Sequence, residues 1–324
     1  MPLKNLAIVL VIALSITACQ RQTEMVSAEA VNAEESVEVT QTDFDPQEFL
    51  CELAGQTRRT PSERAWARGV ISRELRDIGL QPREQEYRDC QRVFYPRPCY
   101  YDYHPHADGV NLSAELPATA STNDWIIVGA HYDTFGPTPG ADDNGSGVTA
   151  VLMVARELAR MPARSANVAF VFFDQEEDGL VGSAAYARWL LTTDRHVVVL
   201  HNIDMVGWDA ARDRDVTLMF GETPEPRLDG RFMELYGRAA EVLRADTARS
   251  DRPGRLLRDD TNRGEHITFH MHGLSALSVI EDSADVGDFN PHYHSTEDNC
   301  RNIDYDYLRM CADLVTVAVT EQLR

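Results

Sequence analysis

Histidine and carboxylate side chains recur in five short stretches: Gly129-Ala-His131-Tyr-Asp133-Thr, Pro139-Gly-Ala-Asp142-Asp143-Asn144-Gly-Ser-Gly147, Phe173-Asp-Gln-Glu176-Glu177-Asp-Gly-Leu, Asn202-Ile-Asp204-Met-Val-Gly207 and Pro291-His-Tyr293-His294-Ser-Thr-Glu-Asp298. Imidazole nitrogen and carboxylate oxygen suit zinc or a related divalent ion. Two neighbouring ions also need a bridging anion, because their charges otherwise repel. Such a pair lowers the pKa of a shared water, a nearby glutamate removes its proton, and the product attacks a polarised carbonyl.

Each stretch alone has an ordinary structural reading. His131 reads as a satisfied core histidine, Asp204 as a strand-end cap and Glu176-Glu177-Asp178 as a solvated acidic turn. Asp142-Asp143-Asn144-Gly145 reads as an Asx turn, a role Asp142 can keep while Asp143 points inward. The Asp143-Asn144-Gly145-Ser146-Gly147 segment lacks the lysine and spacing of a phosphate loop. Their conjunction selects the metal reading. The adjacent Glu176 and Glu177 must divide labour, one toward metal and one over the substrate, and the residues alone leave that division open in either direction.

In order and spacing, including the twelve residues from His131 to Asp143, these motifs resemble the M28 family of zinc peptidases, and within it secreted bacterial aminopeptidases. The resemblance runs from about Asp43 to the C-terminus. It implies two zinc ions per chain, with His131 and Asp204 on one, Glu177 and His294 on the other, and Asp143 bridging. It further implies Glu176 as general base, Asp133 as the aspartate orienting His131, Tyr293 as stabiliser of the tetrahedral intermediate, and peptides with a free N-terminus as substrates. Gly264-Glu265-His266 departs from the family pattern, which more often has aspartate at the Glu265 position, and this leaves the substrate wall open. Two other functions stay in play: glutaminyl-peptide cyclisation on a related scaffold with one zinc, and noncatalytic peptide binding by a lipoprotein.

The elements that must position these residues are legible from periodicity. Asp124–Ala130, Val168–Phe173, His196–Met205, Val216–Phe220 and Ala276–Ile280 read as strands, and Ser62–Gly79, Val148–Ala159, Ser183–Leu191, Asp229–Arg244 and Tyr307–Leu323 as helices. Wholly apolar strand centres need cover on both faces, so the fold class is α/β, a three-layer αβα sandwich around a predominantly parallel or mixed sheet. The polar motifs fall just beyond strand ends, where open α/β sheets place functional groups.

The 31 Lys and Arg against 52 Asp and Glu leave a net charge of -21, which repels a nucleic-acid backbone. Lys4, the apolar run Leu6–Ile16 and the ending Ile16-Thr17-Ala18-Cys19 read as an export signal over residues 1–18 whose cysteine resembles a lipobox acylation site, with unlipidated signal cleavage as the alternative. On that reading the protein is exported and held to the bacterial outer membrane through Cys19, residues 19–42 form a tether, and residues 43–324 fold as one domain. Among the cysteines, Cys90 with Cys99 is the first pairing expected, and Cys51 has both Cys300 and Cys311 as candidates.

Overall fold

The computed structural model describes residues 44–88, 108–221, 226–281 and 289–324. The expected signal, Cys19 anchor, tether and Cys90–Cys99 pairing lie outside those residues. The chain enters through two helices, α1 (Pro46–Leu53) and α2 (Pro61–Asp77). Asp45 caps α1 by accepting from Gln47 and Glu48 N–H. Thr60 and Glu63 form a reciprocal capping box at the start of α2, which satisfies backbone donors that a helix start leaves unpaired.

Then follow β1 (Arg83–Arg88), β2 (Asp108–Leu116), β3 (Asp124–His131), α3 (Gly147–Ala159), β4 (Asn167–Phe173), α4 (Val181–Leu190), β5 (His196–Ile203), β6 (Val216–Met219), α5 (Pro226–Ala245), β7 (Leu256–Asp259), α6 (His266–Met271), β8 (Ala276–Ile280) and α7 (Tyr305–Gln322). The eight strands form one mixed sheet in the order β1-β2-β4-β3-β5-β8-β6-β7. Its centre is parallel, β4 to β3, β3 to β5 and β5 to β8. Antiparallel pairs join β1 to β2, β2 to β4 and β6 to β8.

Alternation along the central strands builds two cores. Ile126, Val128 and Ala130 of β3, with Val168, Phe170 and Phe172 of β4, pack on the side that carries α2, α3, α5 and α7. Ile127, Ala169, Val171 and Phe173 face the other side, against Tyr186 and Leu190 of α4 and Phe269 of α6. Both faces of the sheet are therefore covered, which is why its strands read as unbroken apolar runs. A disulfide joins Cys51 in α1 to Cys300, with Cα atoms 5.2 Å apart, while Cys311 is a buried free thiol in α7. Among the described residues no helix is long and apolar enough to cross a membrane.

Candidate metal centre

Parallel strands deliver three of the five proposed ligands to the C-terminal ends of the central strands. His131 is the last residue of β3, Glu176 and Glu177 follow the end of β4, and Asp204 follows the end of β5. Asp143 comes from the loop that opens α3, and His294 from the turn before α7. The structure brings all five together. His131 Nε2 lies 3.1 Å from Asp143 Oδ1 and 3.5 Å from Asp204 Oδ1, and His294 Nε2 lies 3.1 Å from Asp143 Oδ2 and 3.3 Å from Glu177 Oε2. Two three-residue clusters result, His131-Asp143-Asp204 and Asp143-Glu177-His294, and Asp143 belongs to both.

Side chain to main chain bonds hold these loops. Asp298 accepts from Asp142 N–H at 2.7 Å and Asp143 N–H at 3.1 Å. Asp142 accepts from Gly207 N–H and the Asn290 amide. Asn144 accepts from Met205 N–H and Ser146 from Val206 N–H, so the Asp143 loop is stitched to the loop that carries Asp204. Asp133 Oδ1 sits 3.4 Å from His131 Nδ1 without hydrogen-bond alignment. Its carboxylate accepts from the Glu176 and Glu177 N–H groups at 3.0 and 3.2 Å. His294 has a backbone φ of 55°, a left-handed conformation uncommon for a non-glycine residue, and its ring stacks on Phe135 at 3.9 Å and on Tyr293 at 3.7 Å between centroids.

The electrostatics follow from crowding acids in a dry place. Burial opposes the charge on His131, but Asp133, Asp143 and Asp204 outweigh it and raise its proton affinity well above the ordinary value. His294 is pushed up to about 9 by Asp143 and Glu177 despite burial. Asp143 is held well below the carboxylate range, because the two histidines overcome its burial. Burial, followed by the charge of Asp143, lifts Glu177 to about 7. Glu176 rises well above the usual range, first through burial and then through Glu265, Glu177 and Asp204, against the opposing pull of His131.

The residues fit a divalent cation. Buried atoms Glu177 Oε1, Asp204 Oδ1 and His294 Nε2 have no hydrogen-bond partner among the described residues, although buried polar atoms are ordinarily satisfied. Donors about 2.1 Å from a tetrahedral ion stand about 3.4 Å from one another, and the four imidazole-to-carboxylate separations run from 3.1 to 3.5 Å. Beside the clusters opens a cavity of about 210 Å³ lined by His131, Asp143, Glu176, Asp204 and Tyr293 together with apolar Met205 and Met219.

Sequence reasoning assigned no role to Asp298, although it closes the His294 stretch. It also left Glu265 as a question about the substrate wall. Glu265 is wholly buried, accepts from the Asn202 amide at 3.0 Å and is lifted to about 8 by burial and Asp204, while its neighbour Gly264 lines the cavity. His266 and His270 are buried and structural: His266 meets Ser278 Oγ at 2.8 Å, and His270 Nε2 meets the Ala276 carbonyl at 2.9 Å.

Residues 111–319 match the family model for Peptidase family M28. Among curated proteins, the chain is 31% identical over 216 residues to Aminopeptidase YwaD of Bacillus subtilis, covering 66% of this chain and 44% of that protein. It is 28% identical over 212 residues to the Probable lipoprotein aminopeptidase LpqL of Mycobacterium tuberculosis, covering 60% of this chain and 41% of that protein. The chain thus spans about half the length of the curated relatives it matches. Among solved structures, the zinc aminopeptidase BSAP of Bacillus subtilis superposes with a TM-score of 0.69 at 18% identity over 86% of this chain and 95% of that one. A Porphyromonas gingivalis glutaminyl cyclase gives 0.67 at 20% identity over 86% and 97%. At these identities the two structures speak for the fold.

Proposed function

The chain belongs to peptidase family M28, and from that premise we propose that it is a zinc-dependent aminopeptidase that removes N-terminal residues from peptides. The observation that carries the proposal is Asp143, whose two carboxylate oxygens each lie 3.1 Å from a different histidine. In this reading His131 and Asp204 would hold one zinc, Glu177 and His294 the other, and Asp143 would be shared between them. When bound, the ions would polarise the scissile carbonyl and acidify the attacking water.

The chain's own groups supply the rest. Glu176 lines the same cavity as His131, Asp143 and Asp204 and takes the water proton on its carboxylate, then returns it to the departing amine. Its raised proton affinity suits a group that must do both. Asp133 fixes the backbone of Glu176 and Glu177 through two N–H bonds, which keeps one carboxylate toward metal and the other toward substrate. Tyr293, 42% exposed at the cavity, offers its hydroxyl to the oxygen that gains charge in the tetrahedral intermediate. Partial burial and the surrounding acids keep that phenol protonated, as a donor must be.

Metal-loaded protein incubated with free-N-terminus peptides should release their first residue and leave N-acetylated peptides intact, as read by mass spectrometry. Glu176→Gln should keep its metal and lose about 10²- to 10⁴-fold in kcat; equal activity removes Glu176 from the reaction. A ring-closed pyroglutamyl product would favour cyclisation instead, and unchanged peptides with metal bound would favour a noncatalytic binder. We place the enzyme outside the cytoplasm on a lipid anchor at Cys19, a reading supported by the lipobox-like sequence and by similarity to LpqL, a probable lipoprotein aminopeptidase. Metabolic labelling with radiolabelled palmitate should mark the unaltered protein and not Cys19→Ser, and an unlabelled unaltered protein would remove the anchor.

A further inference from the structure

Arg58 lies in the turn between α1 and α2, ahead of the stretch that matches the family, and its side chain is wholly buried. Its guanidinium makes four hydrogen bonds, all to backbone carbonyls. Nε donates to Tyr132 at 2.7 Å, Nη1 to Pro139 at 2.7 Å and Leu53 at 3.2 Å, and Nη2 to Gly140 at 2.7 Å. The Arg58 N–H adds a bond to Thr134 Oγ1 at 3.0 Å. Tyr132 separates His131 from Asp133, while Pro139 and Gly140 lead directly into Asp142 and Asp143. One planar cation thus ties together the two segments that carry His131 and Asp143.

The fit is close on every side. A Cβ on Gly140, whose φ is 62°, would stand 2.5 Å from the Asp143 carbonyl and 2.8 Å from Arg58 Nη2, so only glycine lets the loop approach the guanidinium. Burying an arginine carries a desolvation penalty. The negative charges of Asp298, Asp133, Asp143 and Glu177 act against that penalty, and the group remains a cation at neutral pH. Lysine would keep the charge but not the fork, since its donors radiate from a single nitrogen and cannot reach carbonyls on both sides of a plane.

We propose that Arg58 is a positioning residue of the metal centre, holding the His131 segment and the Asp143 loop in the register that lets both clusters close on their ions. This rests on the metal reading above. The test is Arg58→Lys and Arg58→Gln, each loaded with Co²⁺ and measured for bound cobalt after gel filtration, visible absorption spectrum, kcat and KM. The expected result is at least 10-fold weaker cobalt retention, an altered ligand-field spectrum, and a kcat lowered 10- to 100-fold with KM within about 3-fold, the range seen when groups that orient metal ligands are removed. A merely structural role would reduce the folded fraction and leave the spectrum of that fraction unchanged. A folded variant with wild-type cobalt affinity and spectrum overturns the proposal.

Should both variants fail to fold, linkage gives a second measurement on the unaltered protein. If Arg58 and the ions stabilise the same loop arrangement, each must strengthen the other by the same factor. Hydrogen exchange of the Arg58 Nε–H should then slow at least 10-fold on saturation with Zn²⁺, and an unchanged rate overturns the role. Unaltered protein that takes up no divalent ion would overturn the metal reading and the Arg58 role together, whereas normal uptake with unaffected variants removes Arg58 alone.

Discussion

His131 ends β3 and His201 sits on the neighbouring β5, and both are buried, at 1% and 0% exposure. The protein nevertheless gives them opposite proton affinities. His201 has a partner for each ring nitrogen, Tyr236 hydroxyl at 2.9 Å and Gln322 Oε1 at 2.8 Å. Both partners are neutral, so burial drives His201 down to about 4. His131 meets Asp133, Asp143 and Asp204 instead and is raised. Residue type and burial therefore do not distinguish a ligand from a core histidine. The distinction lies in the partners: uncharged groups complete His201, whereas His131 faces three carboxylates, an environment that favours a positive charge.

The largest expected effect breaks that contrast on the charged side. Asp143→Ala removes the only carboxylate that belongs to both three-residue clusters, leaving His131 with Asp204 and His294 with Glu177. Both ions should be lost on dialysis, and activity should fall by about 10³-fold or more, equivalent to about 4 kcal/mol of transition-state stabilisation. Metal analysis and kcat/KM on one preparation check this. Two ions retained per chain would refute the bridge and show that each histidine needs only its other carboxylate.

The same contrast explains what could be read from the sequence. The strands flanking His131 and His201 were legible because burial on both sides demands apolar runs such as Val168–Phe173. Strands β1, β2 and β7 were not recognised, since their burial is partial or alternating and the last has four residues. The five proposed ligand positions stood out as acids and histidines grouped in short polar motifs between the apolar runs. Asp298 and Arg58 did not, although each hydrogen-bonds the loop that carries Asp143. Both act on main-chain groups, Asp298 on the N–H groups of Asp142 and Asp143, Arg58 on four carbonyls. Every residue carries such groups, so a side chain to backbone bond leaves no complementary residue type to find. Cysteine pairing was ambiguous for a similar reason: Cys300 and Cys311 lie close in sequence, and only the inward orientation of α7, which buries Cys311 in the core, assigns Cys51 to Cys300.

The smallest expected effect sharpens the contrast on the neutral side. His201 has a folded-state pKa of about 4, below the roughly 6.5 of an unfolded histidine. Between those values the unfolded chain binds the proton and the folded chain refuses it, so stability is intact above pH 6.5 and is lost as pH falls toward 4. From pH 7 to 5.5 this one residue should remove about 1 kcal/mol. Glutamine at this position still offers polar atoms to Tyr236 and Gln322 but has no proton to gain. Urea unfolding at the two pH values should therefore show a drop smaller by about 1 kcal/mol in His201→Gln than in the unaltered protein, whatever the two absolute stabilities. The site carboxylates are common to both proteins and cancel in the difference, which isolates His201. An equal drop in the two would mean that His201 takes up its proton in the folded state, and that neutral partners are not what separates it from His131.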